Sequence, residues 1–277
     1  MKDLWKKLML FFFLCFFFAF CFFIWARFIE PNLLKLEKIS FDVENLAVSN
    51  LTILHLTDLH SKSFGKNEKD VLKAAKEINP DFIFLTGDII DWQTKDWDAC
   101  FSFWQELVQD REGRVFAVYG NHEHRNPEFK KIGQLFKKSG MIVLENENVE
   151  IEIGVGSFYL IGVDDPHLGF DDLDKAMIGV KQDHFQILLA HSPEIFRKAK
   201  ETSLNLVLVG HTHGCQINLP ILCDYVIPLE YDKQYKQGLF YENDTYLYVN
   251  RGIGETFLPL RFNSVPEALV ITINPDN

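Results

Sequence analysis

The chain has 277 residues, of which 47% are hydrophobic, and this is enough for a sizeable core in one large domain or two small ones. Its formal net charge of −11 argues against a nucleic-acid partner, because such a partner is expected to select a basic face.

Residues 1–26 are predicted to be a membrane anchor. Leu8 to Ala26 form 19 residues without charge, rich in phenylalanine, and this length can cross a bilayer as a helix. A cleaved signal peptide is the rival interpretation, but the apolar core exceeds the usual signal length and no small-x-small site follows Trp25. Basic residues on the two sides are close to balanced, so the positive-inside rule does not decide the orientation.

Residues 27–50 are predicted to be a linker with a possible edge strand, and residues 51–277 the main domain. A tether this short would hold an active site near the bilayer surface, which favours substrates in or on the membrane. Of the five cysteines, Cys100, Cys215 and Cys223 lie outside the anchor, without zinc-ribbon spacing. Free thiols are favoured, and a Cys215–Cys223 bridge is left open.

Within the main domain, short apolar runs alternate with helical patterns. Strands are predicted at residues 51–56, 81–86, 115–119, 142–144, 149–153, 157–163, 186–190, 206–209, 216–219, 238–242, 245–249 and 267–273. Helices are predicted at residues 68–79, 96–110, 126–139, 171–179 and 193–200. The helix at 96–110 has a wide aromatic face, for which core packing is favoured over contact with lipid.

Polar residues follow five of these strands directly, and parallel α/β sheets bind ligands at the carboxyl ends of their strands. The five motifs are Asp58-x-His60, Gly87-Asp88, Gly120-Asn121-His122, His191 and Gly210-His211-x-His213. Each motif taken alone could have a purely structural role, as a turn, a loop or a histidine whose hydrogen bonds are satisfied. Together they predict that five segments direct polar side chains at one place.

The last motif follows the strand at 206–209. Gly210 would let the backbone turn sharply where a Cβ atom would crowd it. If the backbone beyond it is extended, His211 and His213 lie on one face, and imidazole is a common ligand for zinc, iron and manganese.

The five motifs, in this order and at these separations, resemble those of the calcineurin-like metallophosphoesterases, from about Leu51 to the C-terminus. The resemblance implies an α/β fold, with a two-sheet β-sandwich flanked by helices, behind an N-terminal transmembrane helix. It also implies two divalent metal ions, with Asp88 as the bridge. One ion would be held by Asp58, His60 and His213, and the other by Asn121, His191 and His211. His122 would be the catalytic histidine beside the phosphate.

Such a metal pair would activate water and neutralise charge on the phosphate. The mixture of oxygen and nitrogen ligands is compatible with manganese, the first choice, and with iron or zinc. One departure concerns the residue after the Asn-His pair, usually an aspartate that orients the histidine. This chain has Glu123, whose extra methylene puts that orienting role in doubt. Asp91 and Asp165 match no ligand position and are interpreted as supporting or structural residues.

The anchor, the segment after His213 and the late Asn250 to Glu255 and Leu258 to Arg261 segments resemble the membrane-associated branch of this family. That branch includes a UDP-2,3-diacylglucosamine pyrophosphatase of lipid A synthesis, which implies a lipid-linked nucleotide-sugar substrate. The specific hypothesis is hydrolysis of this substrate to lipid X and UMP at the cytoplasmic side of a bacterial inner membrane. The alternatives are a broad-specificity cell-envelope phosphodiesterase and, remotely, a non-catalytic binding protein. The oligomeric state is not readable from the sequence.

Overall fold

The computed structural model describes residues 2–43, 51–154, 156–219 and 233–275, together with Cys223, Tyr225, Ile227 and Leu229. Two mixed six-stranded sheets are flanked by helices, which confirms the predicted fold class. The elements in chain order are α1 (Lys2–Ile24), β1 (Lys35–Val43), β2 (Leu51–Leu56), α2 (Lys66–Ile78), β3 (Phe82–Thr86), α3 (Trp97–Val108), β4 (Val115–Val118), α4 (Asn121–Arg125), α5 (Phe129–Ser139), β5 (Ile142–Val143), β6 (Glu147–Ile153), β7 (Gly156–Gly162), α6 (Leu173–Ala176), β8 (Phe185–Leu189), α7 (Phe196–Ala199), β9 (Leu206–Val209), β10 (Gly238–Glu242), β11 (Thr245–Val249) and β12 (Glu267–Pro275).

The first sheet has the strand order β1-β12-β2-β3-β4-β5, and the second has the order β10-β11-β9-β8-β7-β6. In the first sheet β2 to β5 are mutually parallel, while β12 runs antiparallel to β2. In the second sheet β7, β8, β9 and β11 are parallel, with antiparallel strands at both edges. The carboxyl ends of the central strands are therefore available at one edge of each sheet.

Three apolar layers hold this arrangement together. Side chains from both sheets, such as Phe84, Phe116 and Leu208, form the layer between the sheets. A second layer packs α2, α3 and α5 against the first sheet, and a third packs α6 and α7 against the second sheet. The aromatic face of α3 lies in the second layer, where Phe103 and Trp104 are fully buried, which confirms core packing over lipid contact.

The N-terminal helix stands apart from these layers. No residue from Lys2 to Ile24 is buried. The helical path continues through a π-helical turn at Trp25–Ile29 and a 3-10 turn at Glu30–Asn32, and the whole segment is long and apolar enough to cross a membrane. β1 follows within a few residues and pairs with β12 at the edge of the first sheet. Residues 44–50 of the predicted linker lie outside the described residues.

Two local predictions were wrong. Residues 216–219 form no strand, and only Ile217 makes an isolated bridge, to Phe262. The helix predicted at 171–179 is limited to the four residues of α6. The short helix α4 was not predicted, because its sequence consists of polar motif residues without apolar periodicity.

Candidate active site

All eight predicted site residues lie together, and all are buried. Asp58 and His60 follow β2, Asp88 follows β3, and Asn121 and His122 begin α4 just after β4. The second sheet contributes from the ends of β8 and β9. Those residues are His191, His211 and His213. The site therefore lies where the carboxyl ends of parallel strands from both sheets meet.

Asp58, His60 and His213 form one cluster. His60 Nε2 lies 3.0 Å from His213 Nε2. Asp58 Oδ1 lies 3.4 Å from His213 Nε2 and 3.9 Å from His60 Nε2. Three potential ligand atoms thus surround one point.

Asn121, His191 and His211 form a second cluster. His191 Nε2 lies 3.1 Å from Asn121 Oδ1 and 3.0 Å from His211 Nδ1. Asp88 Oδ2 lies 3.3 Å from His191 Nε2 and 3.7 Å from His60 Nε2, so its carboxylate stands between the two clusters.

The donor atoms fit divalent metal ions. Ligand atoms about 2.1 Å from an ion stand about 3 to 3.5 Å apart, which is close to the separations within each cluster. Asp58 Oδ1 is buried and has no hydrogen-bond partner among the described residues, which is a costly arrangement unless an ion or water is bound. Burial holds the pKa values of His60, His211 and His213 well below the ordinary range, so each imidazole is neutral.

The groups behind the ligand atoms hold them in place. Asp58 Oδ2 accepts hydrogen bonds from the Thr57 hydroxyl at 2.8 Å and the His211 backbone N–H at 2.9 Å, which leaves Oδ1 facing the cluster. His191 Nδ1–H donates to the Thr86 carbonyl oxygen at 2.8 Å, which directs Nε2 towards the cluster. Asp88 Oδ1 accepts from the His122 backbone N–H, which leaves Oδ2 between the clusters.

The charges of the two clusters are linked. Burial alone would raise the pKa of Asp88, but the neighbouring His191 holds it well below its usual range. Burial opposes a charge on His191 in turn, yet the carboxylate of Asp88 holds the pKa of His191 well above 6.5. Burial raises the pKa of Asp58 to about 6.

The ligand-bearing backbone is strained rather than extended. Asp58, His60, Asp88, His211 and His213 all have φ between 47° and 70°, a region that non-glycine residues seldom occupy. The expectation that an extended backbone places the last two histidines on one face was therefore wrong. The left-handed turns direct their rings to different clusters.

A glycine is required at position 210 because the side chains of Thr57 and Asp58 lie very close to its backbone. A Cβ atom at this position would lie 2.1 Å from Thr57 Oγ1 and 2.2 Å from Asp58 Oδ2. The prediction that a side chain would be crowded here is confirmed.

His122 lies beside both clusters. Its Nε2 is 3.9 Å from Asp88 Oδ2. Its Nδ1 accepts a hydrogen bond from the Trp92 backbone N–H at 3.3 Å, so the proton of the neutral ring is on Nε2. Burial lowers the pKa of His122, against the opposing charges of Asp88 and Asp91. Asp91 Oδ2 is 3.8 Å from Nδ1, where it would stabilise the ring once protonated.

Glu123 supports the backbone rather than the His122 ring. Its carboxylate accepts hydrogen bonds from the backbone N–H groups of Asp88 at 2.9 Å, Ile90 at 3.0 Å and Gly120 at 2.8 Å. The extra methylene, which put the orienting role in doubt, lets the carboxylate join the loop after β3 to the start of α4. Burial raises the pKa of Glu123 to about 8.

Sequence reasoning missed Arg261 as a supporting residue, having noted it only within a late segment. Its buried guanidinium donates to the carbonyl oxygens of Arg251, Gly252, Gly254 and Ser264, and Nη2 lies 3.4 Å from His213 Nδ1. No local pattern marks such a residue, because its partners come together only in the fold.

A cavity of about 210 Å³ opens onto both clusters. Its lining adds Arg125, His167 and Phe257 to the predicted residues. Cys215 also lines the cavity and is joined to Cys223 by a disulfide, with Cα atoms 5.3 Å apart. The favoured expectation of free thiols was therefore wrong for this pair. Cys100 is a free, buried thiol.

The family model of the calcineurin-like phosphoesterases matches residues 51–215, which include every residue of both clusters. The chain belongs to this family. It is 34% identical over 212 residues to the uncharacterized metallophosphoesterase YkuE of Bacillus subtilis, covering 76% of this chain and 73% of that protein.

Two further relatives carry more descriptive names. The phosphodiesterase YaeI of Escherichia coli is 29% identical over 208 residues, covering 74% of each chain. A Bos taurus transmembrane protein with a metallophosphoesterase domain is 28% identical over 221 residues, covering 73% of this chain and 48% of that protein. Among solved structures, TT1561 of Thermus thermophilus has 14% identity and a TM-score of 0.49, covering 74% of this chain and 91% of that chain.

Family membership and the donor clusters agree. The protein is a metal-dependent phosphoester hydrolase, and its clusters are of the kind that hold two metal ions.

Proposed function

We propose that the protein hydrolyses a phosphodiester of the cell envelope while anchored in the membrane by α1. One observation is the main support for this type of reaction. The Asp88 carboxylate lies between two three-residue donor clusters, and the His122 ring lies beside it. A pair of divalent ions bound there would supply an activated water and neutralise the phosphate oxygens.

In this proposal, Asp58, His60 and His213 would hold one ion, and Asn121, His191 and His211 would hold the other. Asp88 would contribute to holding both. Manganese is the first choice of metal, with iron or zinc compatible with the same mixture of oxygen and nitrogen donors.

His122 serves as the catalytic histidine. The ring presents Nε2–H to the cavity. In the neutral form this donor can hydrogen-bond to a phosphate oxygen, and the protonated ring can give this proton to the leaving oxygen and return to the neutral form. Asp91 then stabilises the charge state of the ring from the Nδ1 side. The Arg125 guanidinium at the cavity wall is suited to attract an anionic substrate.

The Cys215–Cys223 disulfide supports an extracytoplasmic site. Disulfides persist in oxidising compartments and are rare in the cytosol. With α1 as the one span among the described residues, the catalytic domain would then lie outside the cytoplasmic membrane. On that side of the membrane, the catalytic domain would have access to a phosphodiester of the cell envelope.

The second candidate is hydrolysis of UDP-2,3-diacylglucosamine to lipid X and UMP in lipid A synthesis. Its support is the anchor together with the exposed apolar side chain of Phe257 at the cavity, which suits an acylated substrate. This substrate is cytoplasmic, so the two candidates require opposite orientations of the chain.

A topology reporter fused after Asn277 separates the candidates. We expect an extracytoplasmic reporter, together with manganese-dependent hydrolysis of a generic phosphodiester by the purified protein. A cytoplasmic reporter combined with turnover of UDP-2,3-diacylglucosamine alone would overturn the first candidate in favour of the second. No metal-dependent hydrolysis of either substrate would overturn both.

A further inference from the structure

An apolar loop is exposed at the mouth of the cavity. We call residues 256–260 the rim loop. Phe257 is 96% exposed although it also lines the cavity, and the adjacent Leu258 is 55% exposed. Large apolar side chains this exposed beside a binding site mark a surface that another apolar phase covers.

The rim loop is held in place by its backbone. The Gln216 side-chain amide donates to the carbonyl oxygens of Thr256 at 3.0 Å and Leu258 at 2.6 Å, and its oxygen accepts from the Thr256 backbone N–H at 2.9 Å. Phe257 has a φ of 53°, a strained conformation for an aromatic residue. In this conformation the Phe257 ring points outward, where little of the protein contacts it.

The chain just beyond the rim loop is joined to the end of the membrane helix. The Arg261 backbone N–H donates to the Ala26 carbonyl oxygen at 2.9 Å, and the rings of Phe262 and Phe22 lie 4.6 Å apart. Glu30, just past the helix, is buried and accepts a hydrogen bond from the Ser264 backbone N–H at 2.6 Å. The segment that follows the loop is therefore in direct contact with the end of the helix.

These contacts set the depth of the rim loop. The charge-free stretch ends at Ala26, and its 19 residues measure about 28 Å as a helix, close to the thickness of the hydrocarbon core. Phe262 thus lies at the level of the last apolar turn of the span. The exposed Trp25 and Phe28 lie at the same level, and tryptophan is enriched at membrane interfaces.

We propose that Phe257 and Leu258 insert into the same bilayer that α1 crosses, so that the cavity opens at the lipid surface and receives a phosphodiester whose apolar part stays in the membrane. The reaction in this inference rests on the proposed function, whereas the insertion of the loop does not. The occupant of the apolar surface is the bilayer, because the surface is continuous with the span through Phe22 and Phe262.

The depth of the loop can be measured without reference to activity. A spin label is attached to Leu258→Cys in full-length protein that also carries Cys15→Ala and Cys21→Ala, in nanodiscs of phosphatidylcholine and phosphatidylglycerol. The matched control is Ile178→Cys, at a side chain that is 73% exposed and away from the cavity lining. We expect the label at 258 to collide more with oxygen than with a water-soluble nickel chelate, and the control label to do the reverse. An aqueous profile at 258, or shielding from both reagents by a protein partner, would overturn the proposal.

A kinetic arm tests the role of the loop in substrate delivery. Phe257→Ser/Leu258→Ser protein is compared with Ile178→Ser for hydrolysis of phosphatidyl-p-nitrophenol in nanodiscs and of soluble bis(p-nitrophenyl) phosphate. We expect the ratio of the lipid rate to the soluble rate to fall about tenfold in the double variant only. An unchanged ratio would contradict the proposal. If unmodified protein hydrolyses neither diester, the proposed function fails, while the label measurement still decides whether the loop inserts.

Discussion

The metal-ligand clusters and the rim loop border the same cavity but differ in their surroundings. The clusters are buried and polar, and hydrogen bonds to Thr57, Thr86 and neighbouring backbone orient the side chains of Asp58, His191 and Asp88. The rim loop is exposed and apolar, and it is held by hydrogen bonds of its backbone and of the Thr256 hydroxyl with Gln216. This difference indicates that the two regions have different roles. The clusters determine which reaction occurs, and the loop determines where the protein encounters its substrate.

Substitutions in the clusters and in the rim loop should therefore have different effects on hydrolysis. Changes in the clusters should abolish hydrolysis of soluble and lipid-borne esters alike, whereas changes in the rim loop should reduce hydrolysis of lipid-borne esters more than that of soluble ones. The following variants test the first half of this statement.

The largest effect is expected for Asp88→Ala. Its carboxylate stands between both clusters, so its loss should weaken both and reduce kcat/KM by more than about 10³-fold for every substrate. Asp98→Ala, at an exposed acid of α3, is the control. Activity within tenfold of the unmodified protein would remove Asp88 from the centre of the site.

A smaller loss is expected for His122→Ala, about 10²- to 10³-fold in kcat, because a positioned proton donor is removed while the clusters remain. Metal analysis of the variant should give the same content as the unmodified protein. A variant that loses metal instead would reassign His122 from catalysis to ligation.

Asp91→Asn should reduce kcat/KM by about tenfold. The charge of Asp91 raises the pKa of His122, so its removal should move the ionisation of His122 to lower pH. The pH profile of kcat/KM reports this shift, and Asp98→Asn should leave the profile in place. A variant profile that coincides with that of the unmodified protein would show that Asp91 does not act through His122.

The smallest effect on activity is expected for His55, which lies behind the site with Nε2 2.8 Å from Thr86 Oγ1. Burial lowers the pKa of His55 to about 3 from 6.5. The folded state therefore disfavours the proton, so stability is fully present above pH 6.5 and is lost as the pH falls towards 3. The free energy of unfolding should decrease by about 3 kcal/mol through this residue between pH 7 and pH 4. Denaturant titrations should show this loss removed in His55→Gln and kept in the partly exposed control His184→Gln.

The clusters could be predicted from the sequence because each is built from short motifs at the ends of buried strands. Asp58-x-His60 and Gly210-His211-x-His213 carry their signal within a few residues, and the parallel sheets bring the strand ends together. The assignment of these residues to individual metal ions stays a prediction.

What could not be predicted depends on contacts between distant residues or on backbone conformation. Arg261 and His213 are brought together by the fold, and Phe22 meets Phe262 across most of the chain. The left-handed turns at His211 and His213 replaced an expected extended segment, because Gly210 and the hydrogen bond to Asp58 hold the backbone close to β2. The strand predicted at 216–219 failed for a related reason, since Gln216 is committed to the rim loop.

Hydrolysis by this protein should depend on two metal ions held by the clusters. The most direct measurement strips the purified protein with a chelator and then titrates manganese, following bound metal and phosphodiester hydrolysis together. The account predicts no hydrolysis by the stripped protein, about two bound ions per chain at saturation, and activity that follows occupancy of both. Hydrolysis by metal-free protein, or full activity with one bound ion, would contradict it.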